Sequence, residues 1–295
     1  MAFSQTLSDW NPRLIENTCD EPEASLQPLE DYQESILVSL EVACEPIQSL
    51  FRNLPRDVWI AKNASKNPAN GLTSDESAAI HLYTMEIKTR SLYSILNEKL
   101  RDRDRRKLTP WFLYLKLFIT ALFKIQPCST KVIWRGVKAD LHSKYHRGEC
   151  YTWWAFSSCT LLLEVLEEDM YLGKTGPRTL FNIECKNGKS IKPHSYFNQE
   201  DEILLLPGFY FEVVSKVRAA NDLYIIQLRE LSPPYVLLEP PFSNNSCVVP
   251  NQAITQQGKS SSENNEALIF WLRMAELGNP SHLPATDEIN FSEVS

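Results

Sequence analysis

The chain has 295 residues, with 30 Lys and Arg against 37 Asp and Glu, a net charge of −7 and 43% hydrophobic residues. That is enough apolar material to bury a full core in one domain of roughly 200 residues with extensions, or in two small domains. The acidic balance argues against a nucleic acid or an anionic membrane surface as the main partner, since both demand basic patches.

Residues 1–28 mix Asn, Pro, Glu and Ser with little periodicity and read as a flexible leader. The first nineteen residues lack the apolar stretch of a secretory signal, so a cytoplasmic location is expected, and a secreted one only if the N-terminus is incomplete. Between 32 and 51, Ile36, Leu37, Leu40, Val42 and Ala43 fall at roughly helical spacing, which predicts a short helix ahead of Pro46. Thr73 and Glu76 form a capping-box pattern that opens a helix from about Ser74, and Leu92, Ile95, Leu96 and Leu100 continue a core stripe. The charged run 101–107 alternates its signs and reads as a solvated connection whose cations suit a helix C-terminus. Pro110 is placed to open the next helix in its first turn. Residues 111–125 are shorter than the ~20 a membrane span needs and are interrupted by Lys116 and Lys124, so they predict a buried helix and no membrane span.

From Val132 the character changes to strands, predicted at 131–137, 153–158, 178–185, 189–192, 202–206, 209–216 and 223–230. Helices first and strands after indicate an α+β domain over 29–240. Residues 241–295 form a polar linker and tail with a short helix at 267–277. Seven cysteines, with no C-x-x-C spacing, give no metal site and suggest reduced thiols.

Several nucleotide and hydrolase signatures are excluded. Gly173-Lys174-Thr175 ends like a phosphate-binding loop, but Glu168 stands where that motif needs glycine. No G-x-G-x-x-G follows a strand, and no G-x-S-x-G surrounds Ser158. Cys159 reads as a small strand hydrophobe before it reads as a nucleophile.

Three segments carry the chemistry. Lys131-Val132-Ile133-Trp134-Arg135-Gly136-Val137 is a β-branched and aromatic run ending in one arginine and a glycine. Tyr151-Thr152-Trp153-Trp154-Ala155-Phe156-Ser157-Ser158-Cys159-Thr160 leads aromatic residues into small polar ones. Glu200-Asp201-Glu202 stands directly before an apolar strand. Because side chains alternate in an extended segment, Glu200 and Glu202 are expected to share one side and Asp201 the other. Arginine, serine and E-x-E in this order and spacing resemble the R-S-E triad of the mono-ADP-ribosyltransferases, in their arginine-specific branch of vertebrate-type and cholera-toxin-like enzymes. The likeness includes residues 72–84 and runs to about Val236. The Ser-Thr-Ser pattern of many members is here Ser158-Cys159-Thr160, which keeps the first serine and changes the supporting positions.

That resemblance implies two packed mixed or antiparallel sheets around an NAD cleft, flanked by the helices, with NAD as substrate and no metal. Glu202 would stabilise the positive charge that develops as the nicotinamide–ribose bond breaks, Ser158 would hold Glu202 and the ribose, and Arg135 would grip a phosphate or ribose with its planar fork. Gly136 would let the backbone approach the nicotinamide amide, and Tyr171 would either stack on nicotinamide or pack a loop. A glutamate at position 200, two before Glu202, implies an arginine of an acceptor protein or a small guanidine as acceptor. Tyr196 and Phe197 would either contact that acceptor or anchor their loop in the core. An NAD glycohydrolase and a catalytically silent binding module are the alternatives.

Overall fold

Helix α3 (Ser74–Thr84) starts where the capping box predicts. Thr73 Oγ1 accepts the Glu76 N–H at 3.2 Å, and Glu76 Oε2 accepts the Thr73 N–H at 2.9 Å. Glu76 is fully buried, and its other oxygen takes the Lys124 ammonium at 2.6 Å. One carboxylate therefore caps α3 and ties it to α5 (Phe112–Lys124), an almost wholly apolar helix that packs into the same core as α1 (Leu40–Cys44), α2 (Leu54–Ala64) and α4 (Leu92–Arg101). The structure is a computed structural model that describes residues 11–15, 21–87, 90–129, 132–168 and 171–242; the tail and its expected helix at 267–277 lie outside the described residues.

Two helical expectations shift. The short helix expected ahead of Pro46 is α1, which holds Leu40, Val42 and Ala43 but leaves out the exposed Ile36 and Leu37; beyond it the chain continues as a 3-10 turn, Glu45–Leu50, with the proline in its first turn, where its missing N–H costs nothing. Pro110 sits inside a 3-10 turn, Arg105–Trp111, that precedes α5. Asp104 starts that turn by accepting the Arg106 N–H, so the chain is already coiled when the proline is reached.

Among the described residues the strands are β1 (Val132–Val137), β2 (Cys150–Trp153), β3 (Ser157–Thr160), β4 (Arg178–Glu184), β5 (Lys189–Ser190), β6 (Glu202–Leu205), β7 (Phe209–Ala220) and β8 (Leu223–Glu230), in the order β2-β7-β8-β4-β1-β3-β6-β5. A short helix, α6 (Leu163–Glu167), follows β3. Strands β4 and β8 run parallel and the other pairs antiparallel. Between β1 and β3 a single residue pair, Trp134 with Thr160, joins the ladder. All eight strands thus belong to one mixed sheet, with five strands on one side of that seam and three on the other, each side called a sheet below. Ile133, Phe181 and Phe211 of the larger sheet share one apolar core with Cys159, Ile203 and Leu205 of the smaller.

The run expected as one strand at 153–158 breaks in two at this junction. The Trp154 N–H goes to Glu21 Oε2 at 2.7 Å and the Phe156 N–H to Asn97 Oδ1 at 3.2 Å, so these donors serve side chains instead of a neighbouring strand. Thus β2 pairs with β7 in one sheet and β3 with β6 in the other. Parts of the leader are packed: Asn11, Arg13, Leu14, Glu21 and Leu26 are buried. Glu21 also accepts Arg101 Nε at 2.6 Å, and residues 12–15 form a 3-10 turn lying against β1 and β3. Among the described residues no helix is long and apolar enough to cross a membrane.

Candidate active site

The seam between the sheets brings the sequence-predicted residues together. Arg135 projects from β1 and is only 1% exposed; its Nη1 donates to Ser158 O at 2.5 Å. Gly136 follows, paired with Leu180 of β4. A Cβ there would stand 3.3 Å from Leu172 Cδ1 and 3.6 Å from Leu166 Cδ2, so the covering leucines can close over the strand only because the side chain is missing.

Strand alternation sorts β3. Its register sets Ser158 opposite Leu204 and Thr160 opposite Glu202, so these four share one face. Cys159 points the other way, opposite Ile203, into the core between the sheets, where burial pushes its thiol pKa up despite the nearby Arg135. A buried, protonated thiol is no nucleophile. The change at position 159 is therefore a packing choice. Thr160 turns its hydroxyl to the following loop, accepting the Leu162 N–H at 3.1 Å.

Glu202 opens β6 and is 0% exposed. Its two oxygens take Arg13 Nε at 3.2 Å and Arg13 Nη2 at 2.6 Å, with Asn11 Nδ2 at 3.3 Å and Ser195 Oγ at 3.4 Å on Oε2. Glu200 precedes the strand in a turn closed by its N–H to Phe197 O, and its Oε1 accepts the Tyr171 hydroxyl. Its Oε2 is buried with no hydrogen-bond partner among the described residues. Burial pushes the Glu200 carboxyl pKa up; the Tyr171 hydrogen bond pulls it down, and the Glu202 charge raises it further. Asp201 faces away to a half-exposed pair with Lys192 at 2.9 Å, as strand alternation requires.

The two open choices divide. Tyr171 is buried among Trp134, Leu166 and Leu172, and its hydroxyl also accepts the Asn11 N–H at 3.2 Å. It is both a packed loop residue and a contact of the E-x-E segment. Tyr196 is 40% exposed, edge-on to His81, while Phe197 is buried. The loop between them and β6 is held from behind. Thr84 Oγ1 accepts the Tyr196 N–H at 2.8 Å, and the buried His194 ring bonds Ser77 and Asn70 at 2.9 Å each. Asn11, Arg13, Thr84 and Ser195 were not anticipated. Ser195, in the loop leading to the E-x-E, and Thr84, at the end of the 72–84 segment, stood near recognised signals.

A split sheet with the arginine, serine and paired glutamates at its seam defines an ADP-ribosyltransferase fold. Residues 40–233 match the family described as NAD:arginine ADP-ribosyltransferase, and the chain belongs to that family, whose substrate is NAD. The eucaryotic mono-ADP-ribosyltransferase ART2.2 is similar in structure, with a TM-score of 0.53 at 17% identity over 73% of this chain and 96% of that one. The Vis toxin, an ADP-ribosyltransferase from Vibrio splendidus, gives a TM-score of 0.45 at 22% identity over 70% and 92%. Exoenzyme S from Pseudomonas aeruginosa, in a complex bound to carba-NAD, gives 0.48 at 16% over 65% and 88%. A search of the curated proteins found no match.

Proposed function

We propose that this chain transfers ADP-ribose from NAD to the guanidinium of an arginine, releasing nicotinamide. The observation that carries the reading is the pair of carboxylates at the seam, unequal in surroundings. Glu202 is fully buried on the strand face it shares with Ser158, and Glu200 is half-buried, with Oε2 lacking a hydrogen bond among the described residues.

Glu202 supplies negative charge where the ribose becomes oxocarbenium-like as its bond to nicotinamide breaks, and the low-dielectric site strengthens that stabilisation. Arg135 offers its planar fork to a phosphate or ribose, and Gly136, having no side chain, would let the nicotinamide amide approach the strand backbone once Leu172 and Leu166 draw back. Ser158, on the face of β3 shared with Glu202, positions the sugar through a hydroxyl that both donates and accepts.

Glu200 orients the acceptor. A guanidinium nitrogen attacks the ribose carbon as nicotinamide departs, and the proton shed by that nitrogen passes to the Glu200 carboxylate. A base whose pKa is raised by burial suits this transfer, because it is nearer the working pH than an exposed carboxylate. Tyr171 fixes the Glu200 rotamer, and exposed Tyr196 lies at the rim where an acceptor protein would approach.

The test is incubation of the purified protein with NAD, with and without agmatine, following nicotinamide release and agmatine labelling together. Labelling that vanishes in Glu200→Gln supports an arginine transferase. Release without labelling of agmatine or any protein acceptor would assign a glycohydrolase, and no NAD binding would leave a binding module.

A further inference from the structure

One stretch of this chain engages the residues proposed to hold NAD. Arg13 is 1% exposed and donates from Nε and Nη2 to the two oxygens of Glu202; its Nη1 donates to the Thr84 carbonyl at 2.5 Å. That carbonyl closes the C-terminal turn of α3, the end of a helix that favours a cation. The rings of Tyr93 and Phe197 lie 5.5 and 5.4 Å from the guanidinium carbon, which adds cation–π attraction. The Arg13 carbonyl accepts Arg135 Nη1 at 3.0 Å, and the Asn11 N–H donates to the Tyr171 hydroxyl. Leu14 is buried with Trp134, Tyr171 and Leu166. Arg135, Tyr171 and Glu202 line neither of the large cavities, of about 440 and 880 Å³, on the described surface.

We propose that the active site is also a binding site for an arginyl peptide, and that residues 11–14 are its resident occupant, excluding NAD until they leave. The inference rests on the NAD reading above for what is excluded, but not for the peptide site itself. The site selects guanidinium over ammonium: three nitrogens of one planar group reach a carboxylate and a carbonyl in different directions while two rings flank it, a geometry lysine lacks. The segment is held close because Glu21, shortly downstream, is anchored by Arg101 and by the Trp154 N–H. A short tether of this kind keeps the local concentration of Arg13 in the millimolar range, so a weak intrinsic contact suffices to keep the site closed.

Calorimetry of the full chain tests this, with NAD and with a synthetic peptide of residues 9–16. If the closed form makes up about nine-tenths of the population, freeing the site tightens the apparent NAD Kd about tenfold. Arg13→Ala should show that gain. Asn11→Glu should show it too, by setting a carboxylate against Glu202, and provides a second route should Arg13→Ala fail to fold. The peptide should bind Arg13→Ala and displace NAD, and the same peptide carrying Arg13→Lys should not. NAD affinities within twofold among wild type and folded variants would overturn the proposal. If no folded protein binds NAD, the transferase reading falls, and the peptide alone decides: heat of binding to Arg13→Ala upholds the arginyl-peptide site, and its absence overturns it.

Discussion

Replacing Glu202 by glutamine keeps the shape of the side chain and removes its charge. The carboxylate is 0% exposed, so solvent does not screen it, and its field acts in full on a cation forming beside it. Removing one preorganised electrostatic contact of this kind costs about 10²–10³ in kcat, or about 2.7–4 kcal/mol. A second effect runs the other way. Without the charge, Arg13 is left buried against a neutral amide, and breaking a buried ion pair from one side costs about 3–5 kcal/mol in the form that holds it. Residues 11–14 can escape that penalty by leaving the site. Nicotinamide release at saturating NAD should therefore fall about 100- to 1,000-fold in Glu202→Gln, while NAD affinity, measured by calorimetry, stays level or tightens. A rate loss below about threefold, worth about 0.7 kcal/mol, would remove Glu202 from the chemical step. Weaker NAD binding with unchanged kcat would assign it to holding the ground state instead.

Glu200→Gln should keep hydrolysis of NAD within about fivefold of wild type and reduce agmatine labelling at least about 100-fold, the lower end of general-base effects; equal losses would refute the division between the two glutamates. Gly136→Ala places a methyl 3.3 Å from Leu172 and should destabilise the fold by about 1–3 kcal/mol in urea denaturation and weaken NAD binding, whereas full stability would mean that Leu172 moves freely. Burial pushes the His194 pKa below its ordinary value. Its contribution to stability is therefore complete above the unfolded pKa of about 6.5 and is lost as the pH falls below it, because the unfolded chain binds the proton more readily. Denaturation midpoints should drop between pH 7.5 and 5.5, and His194→Gln should reduce that slope; the part that remains belongs to His81, whose pKa burial also lowers.

What could be read from the sequence was whatever depends on neighbours in the chain. The Thr73 and Glu76 box sets a helix start through two reciprocal hydrogen bonds three residues apart, and the residues alone specify it. The opposed directions of Asp201 and Glu202 likewise follow from strand alternation. The split of 153–158 was not readable, because the donors that end pairing go to Glu21 and Asn97, far off in the chain. The packing of Tyr171 and its bond to Glu200 were hidden for a similar reason: its packing partners come from β1 and α6, and its hydroxyl partner lies across the seam. The leader was the largest difference. Polar residues without periodicity signal disorder only when no distant partner awaits them, and Arg13 meets its partner 189 positions away.

The same contact resolves a physical difficulty in the site. A transferase of this kind needs a carboxylate that is desolvated, since water would weaken its pull on the developing cation. A desolvated carboxylate standing alone is costly, and its usual escape is to take up a proton, which would disarm it. The contacts that Arg135 Nη1 makes go to the backbone carbonyls of Ser158 and Arg13. The Arg13 guanidinium of the leader pairs with Glu202; burial, the largest single effect, lowers its pKa, but the charge and hydrogen bond of Glu202, with Tyr83 and Tyr93, together raise it above its ordinary value. On the reading proposed above, Arg13 holds the place beside Glu202 until a substrate that itself carries positive charge at the nicotinamide ring takes it. If Glu202 performs the chemistry proposed above, it is also the carboxylate that selects what occupies the site beforehand, and a neutral residue at position 13 should relax both constraints at once.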